Sequence, residues 1–333
     1  MKAYEKDLLD RATPKSKNYG KWFSKDEIKQ RIAPAESSIK AVIDFISSFS
    51  GVEYKLSTLG DMIFIDAPVQ LAESMFDTKF ATYRSIISPL VTVNRITKPY
   101  SLPESIAAHV SIVDDLIRLP SIRKPMITTA DSSVTGDSAF DSCGRSCSGD
   151  TTPAVLQEAY NIKPVTSVAS GNSVAVAEFQ YQYFDTKDLD AFSSACSVDV
   201  SVTTVIGGNK ENLCEKTGCV EALLDIEYIG AITAPIPLTV IYQGDFSLLT
   251  WAENINSMSN PPLVHSVSYG NDEIQQTSTD YMYSVNEQLA LIAGQGISVL
   301  FASGDQGVWG RTGTYRYNNA LVTPKLRCHF RVQ

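Results

Sequence analysis

The sequence predicts an α/β fold in which a doubly wound parallel sheet follows a smaller α+β unit. From Thr151 onward, strand-like runs alternate with helical runs, which is typical of right-handed βαβ units. Residues 1–120 instead combine capped helices with short strands. Residues 121–150, between the two, are rich in Ser, Thr, Asp and Gly and offer little to bury. We therefore expect two units joined by a linker that contains a processing region.

The N-terminal unit is expected to pack helices on one face of a short antiparallel sheet. The segment Ser24-Lys-Asp-Glu27 has the spacing of a capping box, and Ile39, Val42 and Ile43 recur at helical spacing. The predicted helices are 4–9, 24–32, one that opens at residue 34, and 68–76; the predicted strands are 52–57, 62–65 and an edge strand at 82–85.

The second unit is expected to hold the functional site. Its predicted strands are 173–179, 200–206, 237–242, 263–269 and 298–302; its predicted helices are 152–160, 186–194, one that begins near 221, 247–255 and 279–293. Ligands of such sheets bind beyond the carboxyl ends of the strands. Residues 268–273 and 303–307 lie at such ends.

The composition of the chain argues against some classes of function. The chain has 333 residues, 44% of them hydrophobic and 20% charged, which describes a globular protein. Its net charge of -9 argues against binding to nucleic acid or to an anionic membrane. No apolar run reaches the length of a membrane span, and the opening MKAYEKDLLD does not resemble a signal peptide.

The six cysteines favour disulfides over a metal site. The pairs Cys143/Cys147 and Cys214/Cys219 lack CxxC spacing, and the three histidines are scattered, which argues against zinc. Disulfides would indicate an oxidising compartment, and buried thiols are the alternative. The spacing does not determine which cysteines pair.

Glu221 and Asp225 form the most suggestive pair of acidic residues. Four residues apart on a predicted helix, both carboxylates lie on one face, one turn from each other. A solvated helical face is the plain interpretation of such a pair. In a partly buried setting the two groups could not both ionise easily, so one pKa would rise and the pair could act as an acid–base dyad.

Five stretches together resemble one peptidase family. They are SKNYGKWFSKDEI at 16–28, TKPYSLPESIAAHVSIVDDL at 97–116, EALLD at 221–225, HSVSYGNDE at 265–273 and VLFASGDQG at 299–307. In this order and spacing they resemble the sedolisins, which are serine-carboxyl peptidases of subtilisin-like fold. The first two resemble the family's activation domain, which implies a ferredoxin-like fold for the N-terminal unit.

The resemblance implies catalytic roles for several residues. Glu221 would be the general base towards a serine nucleophile, Asp225 would orient it, and Asp305 would stand in the oxyanion hole. Glu178 and Tyr269 would belong to a network linked to the dyad; their alternatives are an ordinary strand-end charge and a cleft-wall aromatic. A carboxylate base and a neutral carboxylic acid donor both suit acidic pH, so the implied activity is an acid protease.

The sequence also departs from the family. The Ser-Gly-Thr-Ser-type motif of the nucleophile does not occur, so no nucleophile is assigned in this chain, and Ser303 is not that residue. The family's calcium loop would lie beyond the missing serine, so no metal or cofactor is expected here. The basic segment 308–333 differs from the family, which leaves 151–307 as a partial peptidase domain. We expect a truncated precursor that is inactive alone.

Two functions from different classes follow. The first is a serine-type peptidase, an endopeptidase or a tripeptidyl-peptidase, made as a zymogen and secreted or delivered to the lysosome or vacuole. Its partners would be peptide or protein substrates and its own activation domain. The second is a non-catalytic relative that acts as a binding or inhibitory module for a peptidase. A nucleotide-binding protein lacks support, because Gly207-Gly208 belongs to no phosphate-binding motif.

Overall fold

The computed structural model describes residues 1–86, 92–119, 151–214, 219–271 and 278–304. The N-terminal unit contains the helices α1 (Lys2–Ala12), α2 (Lys25–Ile32), α3 (Glu36–Ser47), α4 (Val69–Met75) and α5 (Glu104–Ala107), and the strands β1 (Glu53–Leu56), β2 (Ile63–Asp66), β3 (Phe80–Arg84) and β4 (Thr92–Ile96). The predicted capping box is present at α2. The hydroxyl of Ser24 accepts from the Glu27 amide at 3.3 Å, and the Glu27 carboxylate accepts from the Ser24 amide at 2.7 Å.

The strands of this unit form two antiparallel pairs, β1 with β2 and β3 with β4. The pattern of the sequence did not predict β4, and its composition explains why. One face of β4 carries the buried Val93 and Arg95, and the other carries Thr92 and Asn94. A buried arginine breaks the apolar alternation by which a strand is recognised.

The second unit is the predicted α/β fold. Its elements are α6 (Pro153–Ala159), β5 (Val174–Phe179), α7 (Thr186–Cys196), β6 (Val202–Ile206), α8 (Val220–Thr233), β7 (Leu238–Gln243), α9 (Leu248–Ser257), β8 (Val264–Val267), α10 (Thr279–Gly294) and β9 (Ser298–Phe301). The five strands pair in parallel in the order β6-β7-β5-β8-β9. The prediction of a doubly wound parallel sheet after an α+β unit is confirmed.

Helices cover both faces of this sheet. One core cluster contains Phe179, Trp251 and Leu289, and another contains Val176 and Ile226. All six residues of β5 are buried, as expected for a central strand covered on both faces. Within the described ranges, no helix has the length and apolar character needed to span a bilayer.

Strand β5 lies where the strand order reverses, with β7 and β6 on one side and β8 and β9 on the other. At such a point the connections leave towards opposite sides and open a crevice beyond the carboxyl ends of the strands. Glu178 and Phe179 are the last two residues of β5. The topology therefore places the crevice beside these residues.

The N-terminal unit packs directly against the helices of the sheet. Tyr4, Phe23 and Ile28 share a buried cluster with Leu291 of α10. The amide of Phe23 donates to the Gly294 carbonyl at 2.8 Å, and the Gln288 side chain donates to the Asp61 carboxylate at 2.5 Å. Apolar burial and polar pairing therefore hold the two units together.

A second contact region lies near the carboxyl edge of the sheet. The guanidinium of Arg118 donates to the carbonyl of Phe246 and lies 5.2 Å from the ring centroid of Tyr281. Arg95 lies 3.9 Å from the carboxylate of Asp245. The end of the N-terminal unit thus reaches the loop that follows β7.

Candidate active site

Helix α8 presents Glu221 and Asp225 at the boundary between core and solvent. Glu221 lies in the first turn, and both side chains are half-buried. Their neighbours Ala222 and Ile226 are fully buried against the sheet. Burial of these apolar residues fixes the rotation of the helix, so the two carboxylates share one face, one turn apart.

Glu178 and Tyr269 form a buried hydrogen-bonded pair. Glu178 has no exposed surface and Tyr269 is 4% exposed. The tyrosine hydroxyl donates to Oε2 of Glu178 at 3.1 Å and lies 3.4 Å from the carbonyl of Phe179. The family resemblance implied that these two residues belong to one network, and the structure brings them into direct hydrogen-bond contact.

Electrostatics connects this pair to the helix α8. Burial raises the pKa of the Tyr269 hydroxyl well above its ordinary value, and the charges of Glu178 and Glu221 raise it further. The Glu221 carboxylate is therefore within electrostatic reach of Tyr269. Of the predicted residues, Glu221, Glu178 and Tyr269 thus belong to one neighbourhood, and Asp225 lies one helical turn away.

Aromatic rings enclose the Glu178–Tyr269 pair. The rings of Phe179 and Tyr269 meet edge to face with centroids 4.8 Å apart, and Phe246 lies 5.2 Å from Phe179 and 6.0 Å from Tyr269. These rings exclude water and lower the local dielectric. In such surroundings a carboxyl group responds strongly to any neighbouring charge.

The turn after β5 brings Gln182 to the start of α8, a role that the sequence did not reveal. Gln180 and Tyr181 both have positive φ, 55° and 67°, so the chain reverses sharply. The Tyr181 amide donates to the hydroxyl of Tyr242 at 3.2 Å, which holds the turn. The side-chain oxygen of Gln182 then accepts from the amide of Glu221 at 3.2 Å. No local pattern marks a glutamine that caps a helix 39 residues later in the chain.

Two cysteines beside the site form a disulfide, Cys214–Cys219, with Cys219 as the N-cap of α8. Cys196 is a buried thiol in α7. Cys143, Cys147 and Cys328 lie outside the described residues. The expectation of disulfides is thus met at this pair, whose identity the spacing had left open.

Glu227 is another carboxyl on α8, and the pKa of this residue is shifted although the resemblance assigns it no role. Burial, with a smaller effect of the Asp188 charge, raises the pKa of Glu227 to about 7. Glu227 is within electrostatic reach of Asp188 on α7. A change at Glu227 is therefore a suitable control for the same change at Glu221.

Asp305 lies outside the described residues, as do residues 272–277 and the tail 308–333. The described part of the Ser-Gly-Asp segment ends at Gly304, whose φ of 83° is in the left-handed region. Asp305 thus stays a prediction. Among the residues that the structure does describe, no cluster of His, Cys, Asp or Glu could hold a metal ion.

Comparisons with known proteins match both units of the chain. Residues 1–119 match the model of the family "Pro-kumamolisin, activation domain". The chain is 29% identical to tripeptidyl-peptidase 1 of Rattus norvegicus over 319 residues, which cover 91% of this chain and 54% of that protein. Mouse tripeptidyl-peptidase 1 is 30% identical with the same coverages.

Physarolisin of Physarum polycephalum is 28% identical over 317 residues, which cover 92% of this chain and 52% of that protein. The chain thus spans about half the length of the curated relatives it matches. The similarity extends well past the N-terminal unit and includes most of the α/β unit.

Proposed function

Because the chain is a relative of the sedolisin peptidases, we propose that it carries the activation domain and the acid–base part of a serine-type peptidase that works at acidic pH. The observation that supports this most is the Glu221–Asp225 pair on α8, whose Glu221 charge raises the pKa of the buried Tyr269 that is bonded to Glu178. A buried carboxylate that accepts a hydrogen bond at the carboxyl edge of a doubly wound sheet, where ligands of such sheets bind, supports this proposal.

In the proposed reaction Glu221 accepts the proton of a serine hydroxyl as the serine attacks the substrate carbonyl. Asp225 shares a proton with Glu221 and holds its orientation. A carboxylate is a weaker base than imidazole, so it contributes usefully only at acidic pH. Asp305, as a neutral acid, would donate a hydrogen bond to the developing oxyanion. The serine would come from a Ser-Gly-Thr-Ser-type segment that these 333 residues do not contain.

The Glu178–Tyr269 pair would set the electrostatics of the dyad. The hydroxyl of Tyr269 donates a hydrogen bond to Glu178 at 3.1 Å, so the Glu178 carboxylate is held in one orientation. A negative charge at Glu178 disfavours ionisation of any carboxyl nearby, which favours the shared proton at Glu221 and Asp225. We therefore propose that both residues act through the dyad and not on the substrate.

The N-terminal unit would hold the peptidase inactive until it is removed. Ile112 packs against the core cluster that contains Phe179 and Tyr269, and Arg118 donates to the carbonyl of Phe246 in the same cluster. These contacts support a position of the end of the unit beside the proposed site. We propose residues 1–120 as the activation domain, 121–150 as the linker that is cleaved, 151–307 as the partial peptidase domain and 308–333 as a divergent tail.

Acidification alone should not loosen the contact between the end of the N-terminal unit and the carboxyl edge of the sheet. Burial raises the pKa of Asp114 and of Asp245, and their arginine partners oppose this only in part. A group whose pKa is raised in the docked state takes up its proton there more readily, so acidification favours docking at these two positions. Release would therefore depend on cleavage of the chain in acid and not on titration of this cluster.

The chemistry also suggests where the protein acts and on what. A carboxylate base and a neutral acid donor need an acidic medium, so we propose a secreted protein or one of a lysosome-like or vacuolar compartment. The disulfide Cys214–Cys219 is consistent with an oxidising route to that compartment. Peptides or proteins are the proposed substrates, cut internally or trimmed as tripeptides.

Two measurements test the peptidase. The transcript downstream of codon 307 should contain an in-frame Ser-Gly-Thr-Ser segment. The product of that complete reading frame should then hydrolyse peptides in acid, and Glu221→Gln should lower kcat by about 10²–10⁴. Glu227→Gln is the matched control and should leave kcat unchanged. Full activity in Glu221→Gln would exclude the proposed base. The 333-residue chain itself should show no turnover.

A second candidate is an inhibitory module, which is favoured by the buried cluster that Tyr4 and Phe23 form with Leu291 of α10. Such a chain would bind a mature relative such as physarolisin and slow its peptidase activity at acidic pH. Inhibition that is saturable, and that is lost when Tyr4 and Phe23 are both changed to alanine, would favour this function. No inhibition at equimolar chain would exclude it.

A further inference from the structure

The helix that carries the proposed base begins at a disulfide. Cys219 is the N-cap of α8, two residues before Glu221, and it has no exposed surface. Its carbonyl accepts from the amide of Leu223 at 3.1 Å, which is the first helical hydrogen bond. Its φ of 38° is in the left-handed region, which is unfavourable for a residue with a Cβ. Something must hold Cys219 there, and its covalent bond to Cys214 does so.

The other half of the disulfide is itself well anchored. Cys214 follows the short 3₁₀ helix Glu211–Leu213. Just before this helix, the side chain of Asn209 makes two hydrogen bonds with the backbone of Phe184. Its oxygen accepts from the Phe184 amide at 3.2 Å, and its nitrogen donates to the Phe184 carbonyl at 2.9 Å. The disulfide packs beside the rings of Tyr183 and Tyr242, which stack with centroids 4.5 Å apart. Since Tyr242 belongs to β7, the start of α8 is tied to the carboxyl edge of the sheet.

A second tether reaches the same helical turn from the strand that carries Glu178. The sulfur of Cys219 is bonded to Cys214 and does not cap the helix. The side-chain oxygen of Gln182 accepts instead from the amide of Glu221 at 3.2 Å. Gln182 follows Glu178 by four residues through the tight turn after β5. The two tethers therefore hold Glu221 relative to the sheet edge that presents Glu178 and Tyr269.

We infer that the Cys214–Cys219 disulfide, together with Gln182, positions the Glu221 end of the dyad helix against the Glu178–Tyr269 pair. Cys214 and Cys219 are then positioning residues for the proposed reaction, and the inference rests on that proposed function. Because Ala222 and Ile226 anchor the rest of α8 in the core, loss of the disulfide should free only the first turn.

Amide hydrogen exchange of the 333-residue chain tests the positioning. The perturbations are the double variant Cys214→Ala/Cys219→Ala and reduction of the unmodified chain by a phosphine. In the reduction the S–S bond breaks, both sulfurs become thiols, and water supplies the protons and the oxygen of the phosphine oxide. Amides of 221–224 should exchange roughly tenfold faster, the scale of losing a helix cap, whereas 228–233 should not change. Cys196→Ala, which removes a buried thiol outside the disulfide, should leave both segments unchanged.

A second readout separates positioning of the carboxyl from general support of the fold. Carboxyl ¹³C NMR, assigned by comparison with Glu221→Gln, follows the protonation of Glu221 as the pH changes. Opening the disulfide should shift the pKa of Glu221 towards that of an exposed glutamate. The reason is that the first turn of α8 would move away from Asp225 and from the Glu178–Tyr269 pair. Cys196→Ala should not move it.

Two results would overturn the inference: exchange that rises equally along the whole of α8, or an unaltered Glu221 titration after the disulfide is opened. Failure of the proposed peptidase is a separate result. A complete reading frame whose product lacks acid peptidase activity would count against that function. It would not alter the exchange or titration data for the disulfide.

Discussion

A buried histidine should make the α/β unit lose stability in acid, in the range where a peptidase of this kind is expected to work. His265 on β8 has no exposed surface, and its Nε2 lies 2.9 Å from the carbonyl of Pro262. Among the described residues its Nδ1 finds no hydrogen-bond partner. The ring of Trp251 meets the imidazole edge to face at 5.8 Å. Burial lowers the pKa of His265 from 6.5 to about 4.

The sign of the effect follows from linkage. Between pH 6.5 and about pH 4 the unfolded chain holds a proton on His265 that the folded chain does not, so acidification favours unfolding. The slope approaches about 1.4 kcal/mol per pH unit in this window. Relative to pH 7, the unmodified protein should lose about 2 kcal/mol by pH 5 and about 3 kcal/mol by pH 4 through this one group.

Urea unfolding followed by tryptophan fluorescence measures this loss, with Trp251 as the local probe. His265→Leu removes the titrating group and should flatten the pH dependence by these amounts, whatever its cost at pH 7. His109→Leu removes an exposed imidazole and is the matched control, expected to keep the steep dependence of the unmodified protein. Equal slopes for His265→Leu and the unmodified protein would refute the reasoning.

Three further changes test the packing. Tyr269→Phe removes a hydroxyl that donates to the buried Glu178, so it should lower the unfolding free energy by about 1–3 kcal/mol, and pairing it with Glu178→Leu should recover part of the loss. Gly294→Ala would place a Cβ 1.8 Å from the hydroxyl of Tyr4, so it should cost about 1–3 kcal/mol and speed proteolysis of α1. Ser24→Ala removes the capping box of α2 and should cost about 1 kcal/mol, measured by thermal unfolding.

Periodicity was sufficient to predict most of the fold. The strands of the parallel sheet are short apolar runs, and the helices between them begin at recognisable caps such as Ser247 and Ser278. In the N-terminal unit the strand β4 was not predicted, because Arg95 is buried among polar partners and interrupts the apolar alternation. Local patterns report burial of apolar side chains, and they miss strands that bury charge.

The candidate site was predictable only in part. Glu221 and Asp225 could be paired because helical spacing is a local property. The bond between Tyr269 and Glu178, 91 residues apart, and the cap from Gln182 depend on the order of strands in the sheet. Spacing also left open which cysteine pairs with Cys219, although its partner Cys214 is only five residues away. Contacts between distant parts of the chain follow from topology, which spacing alone does not specify.

The titration of Glu221 in the presence and absence of its partner tests the central claim most directly. Carboxyl ¹³C NMR of the unmodified chain should show the two carboxyls titrating in two separated steps, because like charges one helical turn apart resist joint ionisation. In Asp225→Asn, Glu221 should titrate in a single step at lower pH than the upper step of the pair. A Glu221 titration that is identical in the unmodified chain and in Asp225→Asn would show that the two residues are only a solvated helical face.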